Sequence, residues 1–469
     1  MKKKLFLTFV FAFLMVVLIG CGGGDKPTGN QTKKLNAPTG FAIEDDYVYF
    51  NIIAAASEYV IKFEGADKSV ERTITESGIS VGELLIPEGT YQVSIKAKGD
   101  GVKYEDSDYS TAIEFTKEQN YMELKERELT AGGYIKWMGR TYYNEVTKAN
   151  EVYHSASGFE LFFKGSEVVA TITATNYDNP DKRPCIVIVV DDDFNNATTL
   201  FLDKASQEVV LVSGNEDANE HKVDLYKRSE SLNSHIAISS IRTDGVFMRK
   251  IVNKQLKLEF IAASSSTGYG NLGSPSDTKQ TTANSDALKG FAFLTAQALD
   301  ADINIFSASG WGCYASQWTN PNTKNVADAY KYVDFDSTTL WFHEMYVPDV
   351  VVVNLGTNDW SYIKNASGAE RDARMNAFQQ KYVSFLRELH TYYPNAQLIV
   401  LYGLMNETDI YDKTEEIVQM AKAYIPNLVS IQLHGDAGGY NSHPSATSHV
   451  LISRRLTEFI KQTLENNNQ

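Results

Sequence analysis

The 469-residue chain has few cysteines, few prolines, no excess of basic residues and a single long apolar run. Three cysteines exclude a fold held together by a disulfide framework, and we expect Cys185 and Cys313 to be free and buried. The 44 Lys and Arg residues are outnumbered by 59 Asp and Glu, which gives a formal net charge of -15. Because nucleic-acid binding needs a basic surface, that class of partner is disfavoured, and a neutral ligand fits the charge better.

The long apolar run lies at the N-terminus. Three lysines at residues 2–4 precede an apolar segment over residues 5–19, which has the length of a signal-peptide core and is short for a membrane span. The sequence LIGC that ends at Cys21 resembles the bacterial lipobox, which implies that this cysteine is lipidated and becomes the mature N-terminus. We therefore expect residues 1–20 to be a lipoprotein signal peptide and residues 21–34 a flexible tether.

The N-terminal segment predicts an exported protein of the bacterial cell envelope, anchored by lipid at the cell surface or the outer face of a membrane. An ordinary secretory signal with an incidental cysteine is the alternative interpretation.

Three regions with different periodicity follow the tether. Residues 35–118 alternate apolar and polar positions between turn residues, which predicts a β-sandwich; the region resembles a fibronectin type III module, either a spacer or a ligand-binding domain. Residues 122–248 are again rich in predicted strands, and the three acids at 191–193 fit a turn better than a calcium loop. In residues 252–469 strands alternate with helical segments, which predicts a three-layer α/β domain with a parallel sheet. The chain is therefore predicted to be multidomain.

Polar residues suited to acyl transfer follow the predicted strands of the last region. Ser264, Gly310 and Asn358 each come after a strand, and His443 precedes the final helix. The carboxyl ends of parallel strands meet at one edge of a sheet, so these residues are expected to lie together. A serine of the 264–266 run is the candidate nucleophile and His443 the candidate general base; the family register given below selects Ser264. The N–H groups of Ser264 and Gly310 and the Asn358 amide are the expected oxyanion hole. No metal or other cofactor is implied.

The order of these blocks resembles the SGNH (GDSL-type) hydrolase superfamily, and specifically carbohydrate esterase family 2, the acetylxylan esterases. The resemblance covers residues 122–469 and is carried by segments 139–143, 221–230, 257–261, 347–359 and 443–445. It implies a jelly-roll β-sandwich over residues 122–248 and an SGNH hydrolase catalytic domain over residues 252–469.

The nucleophile block departs from the family pattern. The family usually reads Gly-Asp-Ser where this chain has Ala-Ala-Ser at residues 262–264. The glycines at 268 and 270 keep Ser264 in register, and Ser265 and Ser266 are the alternative nucleophiles. An alanine at 262 adds a methyl group at a position where the turn is tight.

The histidine block also departs from the pattern. Tyr440 stands where the superfamily usually has the aspartate of the catalytic triad, and Asp436 lies seven residues before His443. The resemblance implies a Ser–His dyad in which a backbone carbonyl orients the imidazole, although Asp436 stays open as the orienting group. Asp359 is predicted to hold its loop and not to act in catalysis.

The resemblance implies an esterase that removes acetyl groups from a neutral plant polysaccharide or oligosaccharide, such as acetylated xylan, through an acyl-enzyme on Ser264. Trp311 and Trp360 lie beside the site blocks and are either sugar-stacking or core residues. The expected partners are the acetylated glycan and, through the lipid, a membrane; the chain is expected to be a monomer. A non-catalytic glycan-binding lipoprotein derived from such an esterase is the alternative. A lipid-directed esterase is disfavoured because the jelly-roll region matches the carbohydrate-active branch.

Overall fold

A computed structural model describes residues 32–66, 68–118, 121–215 and 219–467. The predicted signal peptide, Cys21 and nearly all of the predicted tether lie outside these residues. Within the described residues, no helix is both long and apolar enough to cross a membrane. The chain divides into two compact units: one runs up to Gly78 and includes Thr90–Phe115, and the other comprises Ile79–Gly89 and the chain from Thr116 onward.

The first part of the chain is rich in strands. They are β1 (Lys33–Lys34), β2 (Ala42–Glu44), β3 (Tyr47–Tyr49), β4 (Glu58–Glu64), β5 (Ser69–Ile74), β6 (Ile79–Ser80), β7 (Gly89–Lys98), β8 (Tyr104–Glu105) and β9 (Ile113–Lys117). A four-stranded sheet has the order β5-β4-β7-β9. Tyr59, Ile61 and Phe63 of β4 are all buried, as their alternation predicts. The β-rich character of this region is confirmed, and the fibronectin type III label stays a prediction.

The next part of the chain folds into two six-stranded sheets. Its strands are β10 (Met122–Lys125), β11 (Ile135–Met138), β12 (Thr141–Asn144), β13 (Ala149–Val152), β14 (Gly158–Lys164), β15 (Val168–Ala174), β16 (Cys185–Val190), β17 (Thr198–Phe201), β18 (Ser206–Val212), β19 (His221–Lys227), β20 (Ile236–Thr243) and β21 (Val246–Met248). One sheet has the order β12-β13-β20-β15-β18 with β10 on β20, and the other β11-β14-β19-β16-β17 with β21 on β14. Buried residues such as Phe159, Leu161 and Ile172 form their shared core. We call residues 122–248 the sandwich; its jelly-roll label stays a prediction.

The last part is an α/β domain. Its strands are β22 (Leu256–Ala262), β23 (Ala301–Ser307), β24 (Val350–Asn354), β25 (Gln397–Tyr402) and β26 (Val429–Gln432). They form a sheet of order β23-β22-β24-β25-β26 in which every pair is parallel. Its helices are α1 (Phe291–Ala298), α2 (Val326–Ala329), α3 (Thr357–Ile363), α4 (Gly368–Tyr392), α5 (Tyr411–Lys422) and α6 (Ala446–Asn467). The predicted parallel-sheet domain is confirmed.

Helices cover both faces of this sheet. Successive side chains of a strand point to opposite faces, so alternate residues of β24 show which helices lie on each face. Val351 and Val353 of β24 pack with residues of α4 and α5. Val350 and Val352 pack with residues of α1 and α6. Burial on both faces explains the unbroken valine run of β24. Cys185 and Cys313 are free and buried, as predicted.

A buried ion pair joins the sandwich to the α/β sheet. Arg140, between β11 and β12, is fully buried, and its Nη2 lies 3.2 Å from Oε1 of Glu259 on β22. The guanidinium also lies 4.2 Å from the ring centre of Phe306 and donates to the Tyr330 carbonyl oxygen at 2.6 Å. Breaking such a buried pair leaves an uncompensated charge, so this contact fixes the sandwich against the strand that leads to Ser264.

Candidate active site

Ser264 begins a 3-10 turn, Ser264–Thr267, at the carboxyl end of β22. Gly268 ends this turn with a φ of 68°, and its N–H donates to the Ser264 carbonyl oxygen. Gly270 also has a positive φ, of 61°, and a Cβ placed there would lie 2.6 Å from Cβ of Tyr440. Only glycine therefore lets the serine turn approach the segment that carries His443.

The Ala-Ala departure at residues 262 and 263 fits this turn. Ala262 is fully buried and is an ordinary strand residue, paired with Ser307 on β23 and Asn354 on β24. Ala263 has φ -115° and ψ -148°, so its φ is negative and lies outside the left-handed region that favours glycine. The methyl group of Ala262 is therefore accommodated in the strand, and Ala263, which stands where the family has aspartate, has a negative φ that does not require glycine.

Ser264 and His443 form a close pair. The Ser264 Oγ lies 2.7 Å from His443 Nε2, although the two residues are 179 positions apart. The imidazole is 5% exposed, and the ring of Tyr269 packs against it with centroids 4.6 Å apart. Burial lowers the pKa of His443, and the backbone carbonyls that it contacts partly oppose this shift. A neutral imidazole in this position can accept the serine proton.

Backbone carbonyls face the other nitrogen of the imidazole. His443 Nδ1 lies 3.1 Å from the Tyr440 oxygen and 3.2 Å from the Asn441 oxygen. Asn441 and Ser442 have φ values of 49° and 59°, a left-handed conformation that is uncommon outside glycine. This strained turn aims the carbonyls at the ring. A protonated Nδ1 donates to them, which leaves Nε2 free to accept from Ser264.

Asp436 does not contact the imidazole. Its Oδ1 accepts the N–H groups of Ser445 at 2.8 Å and Gly438 at 3.0 Å, and its Oδ2 accepts the Ser445 hydroxyl. Burial opposes the shift, but these hydrogen bonds hold the pKa of Asp436 below its ordinary value. Asp436 thus holds the loop on either side of His443 together.

Gly310 and Asn358 line the same cavity as Ser264 and His443. One N–H of the Asn358 Nδ2 donates to the Trp311 carbonyl oxygen at 3.0 Å, which fixes the amide and leaves its second N–H available. Asp359 is fully buried and accepts the N–H groups of residues 313–315. Burial raises the pKa of Asp359 to about 6, and these hydrogen bonds oppose the shift. Asp359 therefore holds the segment 313–315, in agreement with the structural role predicted for it.

The site opens into a cavity of about 700 Å³. Trp311 lies on its wall and packs against Phe335, with ring centroids 5.0 Å apart. Trp360 does not line the cavity: it is 3% exposed and lies in the core, with Arg371 over its ring, so the sugar-stacking hypothesis for this residue is wrong. Within the described part of the chain, no group of three or more His, Cys, Asp or Glu side chains could hold a metal ion.

The sequence analysis missed Trp318. Its ring is 66% exposed, lines the cavity and lies against Gly310, where an added Cβ would be 3.1 Å from it. It is on the long irregular segment between β23 and α2, residues 308–325. Long loops at the carboxyl end of a parallel sheet often carry binding residues, so the length of this segment was the available signal.

Comparison with known proteins finds relatives among carbohydrate esterases. A family model described as carbohydrate esterase 2 N-terminal matches residues 137–249, within the sandwich and one residue beyond it. The cellulase/esterase CelE of Acetivibrio thermocellus is 28% identical over 327 residues, 66% of this chain but 37% of that longer protein. An acetylxylan esterase/glucomannan deacetylase of Cellvibrio japonicus is 26% identical over 62% of this chain and 84% of its own length.

Solved structures share the fold. A family two carbohydrate esterase from Clostridium thermocellum, solved with cellohexaose, is 26% identical with a TM-score of 0.62, covering 71% of this chain and 99% of that one. An acetyl xylan esterase from the rumen bacterium Butyrivibrio proteoclasticus, 21% identical, has a TM-score of 0.65 over 74% of this chain and 98% of its own. These structures show the shared fold, and the curated acetylxylan esterase relatives support a carboxylic ester hydrolase whose residues 137–249 match the N-terminal model of carbohydrate esterase family 2.

Proposed function

We propose that this protein is a carbohydrate O-acetyl esterase that works through a Ser264–His443 dyad. The observation that carries the proposal is the 2.7 Å approach of Ser264 Oγ to His443 Nε2, with the backbone carbonyls of Tyr440 and Asn441 at Nδ1 and no carboxylate there among the described residues. The alternative, a glycan-binding protein without turnover, is disfavoured because the nucleophile and base remain paired despite the departures at residues 262 and 263.

The reaction follows from this arrangement in two steps. His443 takes the hydroxyl proton while Ser264 Oγ bonds to the carbonyl carbon of the acetyl group. The N–H groups of Ser264 and Gly310 and the Asn358 amide hold the oxyanion. The bond from carbon to the sugar oxygen then breaks, and His443 returns the proton to that oxygen. Water, deprotonated by His443, releases acetate from the acyl-serine in the same way.

The backbone carbonyls at Nδ1 fix the tautomer of His443 but carry no full negative charge. They therefore orient the ring better than they stabilise the imidazolium that forms in the transition state. Hydrolysis of an acetyl ester needs less of this stabilisation than hydrolysis of an amide, because a sugar alkoxide is a better leaving group than an amide nitrogen.

The proposed substrate is an acetylated plant polysaccharide or oligosaccharide of the xylan or glucomannan type. The acetylxylan esterase relatives and the exposed Trp318 in the cavity support this class. The test is acetate release from acetylated xylan and acetylated glucomannan, beside p-nitrophenyl acetate. Binding of these glycans without any acetate release, and no turnover of the small ester, would contradict the proposal and favour the glycan-binding alternative.

Changing Trp318 to Ala should raise KM for acetylated xylan about tenfold while kcat for p-nitrophenyl acetate stays unchanged. An exposed indole stacks on a sugar ring and contributes about 1.4 kcal/mol to binding, but it does not touch the acetyl carbonyl. Steady-state kinetics on both substrates measure this. The matched control is Phe342→Ala, which removes an aromatic side chain that is 60% exposed and outside the cavity. An unchanged KM in Trp318→Ala would remove this residue from the substrate site.

We further propose that the protein is a lipid-anchored envelope lipoprotein, on the basis of the lipobox-like sequence that ends at Cys21. Bacterial lipoproteins carry more than one acyl chain, and a single chain anchors only marginally. Changing Cys21 to Ala should move the protein from the membrane fraction to the soluble exported fraction, as measured by immunoblotting of fractionated cells. A variant that stays with the membrane would contradict the anchor.

A further inference from the structure

A carboxylate from the sandwich reaches the active-site cavity. Glu230 follows β19, is 5% exposed and lines the same cavity as Ser264. Its Oε2 accepts both the N–H of Ser309, at 3.2 Å, and the Ser309 hydroxyl, at 2.6 Å. A buried carboxylate is costly unless it is hydrogen-bonded, so this double contact decides where the side chain sits.

The segment that carries Glu230 is itself held in place. Lys227, at the end of β19, is fully buried, and its Nζ donates to the carbonyl oxygens of Ser229 at 2.6 Å and of Glu230 at 3.1 Å. Burial raises the pKa of Glu230, and the hydrogen bonds from Ser309 oppose that shift. The sandwich thus presents the carboxylate from a rigid support and not from a free loop.

The contacted residue directly precedes the proposed oxyanion donor. The nitrogen of Gly310 belongs to the peptide group formed with Ser309, so anchoring Ser309 at two points restrains the direction of the Gly310 N–H. Thr267 neighbours both Ser309 and Glu230: its hydroxyl donates to the Ser264 carbonyl oxygen at 2.9 Å and lies 3.4 Å from Ser309 Oγ. Glu230, Ser309 and Thr267 therefore link the sandwich to the nucleophile turn.

We propose that Glu230 is a positioning residue of the esterase reaction: by holding Ser309, it aims the Gly310 N–H at the oxyanion formed on attack by Ser264. It touches neither substrate nor reacting atoms. The proposal rests on the proposed function, and it makes the sandwich part of the catalytic unit. A catalytic domain without the sandwich would lack a group that shapes its oxyanion loop.

The test compares Glu230→Ala and Glu230→Gln in the full-length protein with p-nitrophenyl acetate. Losing one oxyanion donor typically costs about 10²–10³-fold in kcat, so a misaimed Gly310 N–H should lower kcat about 10²-fold in Glu230→Ala with little change in KM. Glu230→Gln should recover most of this loss, to within about tenfold of wild type, because an amide oxygen also accepts from Ser309. Labelling with a fluorophosphonate, which phosphonylates a reactive serine with loss of fluoride, counts the competent sites.

A matched control separates positioning from general destabilisation. Glu160 on β14 is a carboxylate of the same sandwich, 7% exposed, whose cationic neighbour is Lys222 at 3.6 Å and which does not line the active-site cavity. Glu160→Ala should leave kcat per labelled site unchanged. Glu230→Ala should lower kcat per labelled site, and it should be labelled by the fluorophosphonate to the same final extent as wild type but more slowly.

Several results would overturn the proposal. The first is a kcat of Glu230→Ala within threefold of wild type. The second is a loss of kcat in Glu230→Ala that vanishes when kcat is divided by the number of labelled sites. The third is a kcat of Glu230→Gln as low as that of Glu230→Ala. The last result would indicate a need for charge instead of an acceptor. Failure of the proposed function looks different: the wild type would neither hydrolyse acetyl esters nor label at Ser264, and the Glu230 proposal would fall with it.

Discussion

Replacing Ser264 with Ala should lower kcat for p-nitrophenyl acetate by about 10⁵–10⁶-fold, the scale at which loss of a catalytic serine leaves only binding and oxyanion contacts. The hydroxyl is the single group placed 2.7 Å from the base, and no water can form the acyl intermediate in its place. The fold should be unaffected, because the substitution removes one oxygen at a cavity wall. Activity and thermal unfolding of the purified variant measure both points.

The neighbouring serine supplies the control for this prediction. Ser265 lies in the same 3-10 turn and lines the same cavity, but no contact to His443 places it as a nucleophile. Ser265→Ala should retain kcat within a few-fold of wild type. If Ser265→Ala were inactive and Ser264→Ala active, the register of the nucleophile would be wrong by one residue.

Replacing His443 with Ala should cost about as much as the loss of Ser264, because the two residues act as a unit and either change removes the activated nucleophile. KM should change little, since the imidazole contributes to proton transfer more than to glycan binding. Fluorophosphonate labelling of Ser264 should also slow, because an unassisted hydroxyl is a weak nucleophile at neutral pH.

His434 offers a matched histidine control. It is exposed, and its Nδ1 lies 3.2 Å from Asn406 Oδ1, away from the serine. His434→Ala should leave kcat within twofold of wild type. A His443→Ala variant that kept more than a tenth of wild-type kcat would contradict its role as the base.

Much of the site could be predicted because it depends on strand ends. The run of valines predicts β24, and the order of the sequence blocks is enough to put Ser264 and His443 in register with the family. Side chains that act across long separations could not be predicted in this way. Glu230 follows β19 of the sandwich and contacts Ser309, the residue before Gly310. The packing of the sandwich on the α/β domain brings the two residues together.

The tryptophans illustrate the same limit. Trp360 and Trp318 both lie near site blocks in the sequence, and nothing in the pattern distinguishes them. Trp360 is the fourth residue of α3, a position that turns it into the core, whereas Trp318 lies on an irregular segment whose backbone exposes it. The spacing of apolar residues along α3 could have predicted that Trp360 is buried. The irregular segment that carries Trp318 has no such spacing, so its exposure could not be predicted.

The group that orients the His443 imidazole also could not be predicted from the sequence. The family resemblance implied a backbone carbonyl as the orienting group, and the residues left Asp436 open. The sequence carries no direct signal for the direction of a carbonyl, so it could not decide between them. The left-handed conformation of Asn441 and Ser442 turns the backbone carbonyls toward His443 Nδ1. The Asp436 carboxylate instead accepts hydrogen bonds from Ser445 and Gly438. Asparagine at 441 is compatible with this conformation, and serine at 442 adopts it only because the surrounding loop holds it.

The central claim is that a Ser264–His443 dyad works without a carboxylate, and kcat of Asp436→Asn tests it most directly. The amide keeps one oxygen to accept the N–H groups of Ser445 and Gly438, and its NH2 can donate to the Ser445 hydroxyl that Oδ2 now accepts, so the loop should hold its shape. The account predicts a kcat for p-nitrophenyl acetate within about threefold of wild type. Replacing a triad aspartate with Asn costs about 10⁴-fold by favouring the wrong tautomer. A loss of that size in Asp436→Asn, with unchanged thermal unfolding, would contradict the dyad and make Asp436 the third catalytic residue.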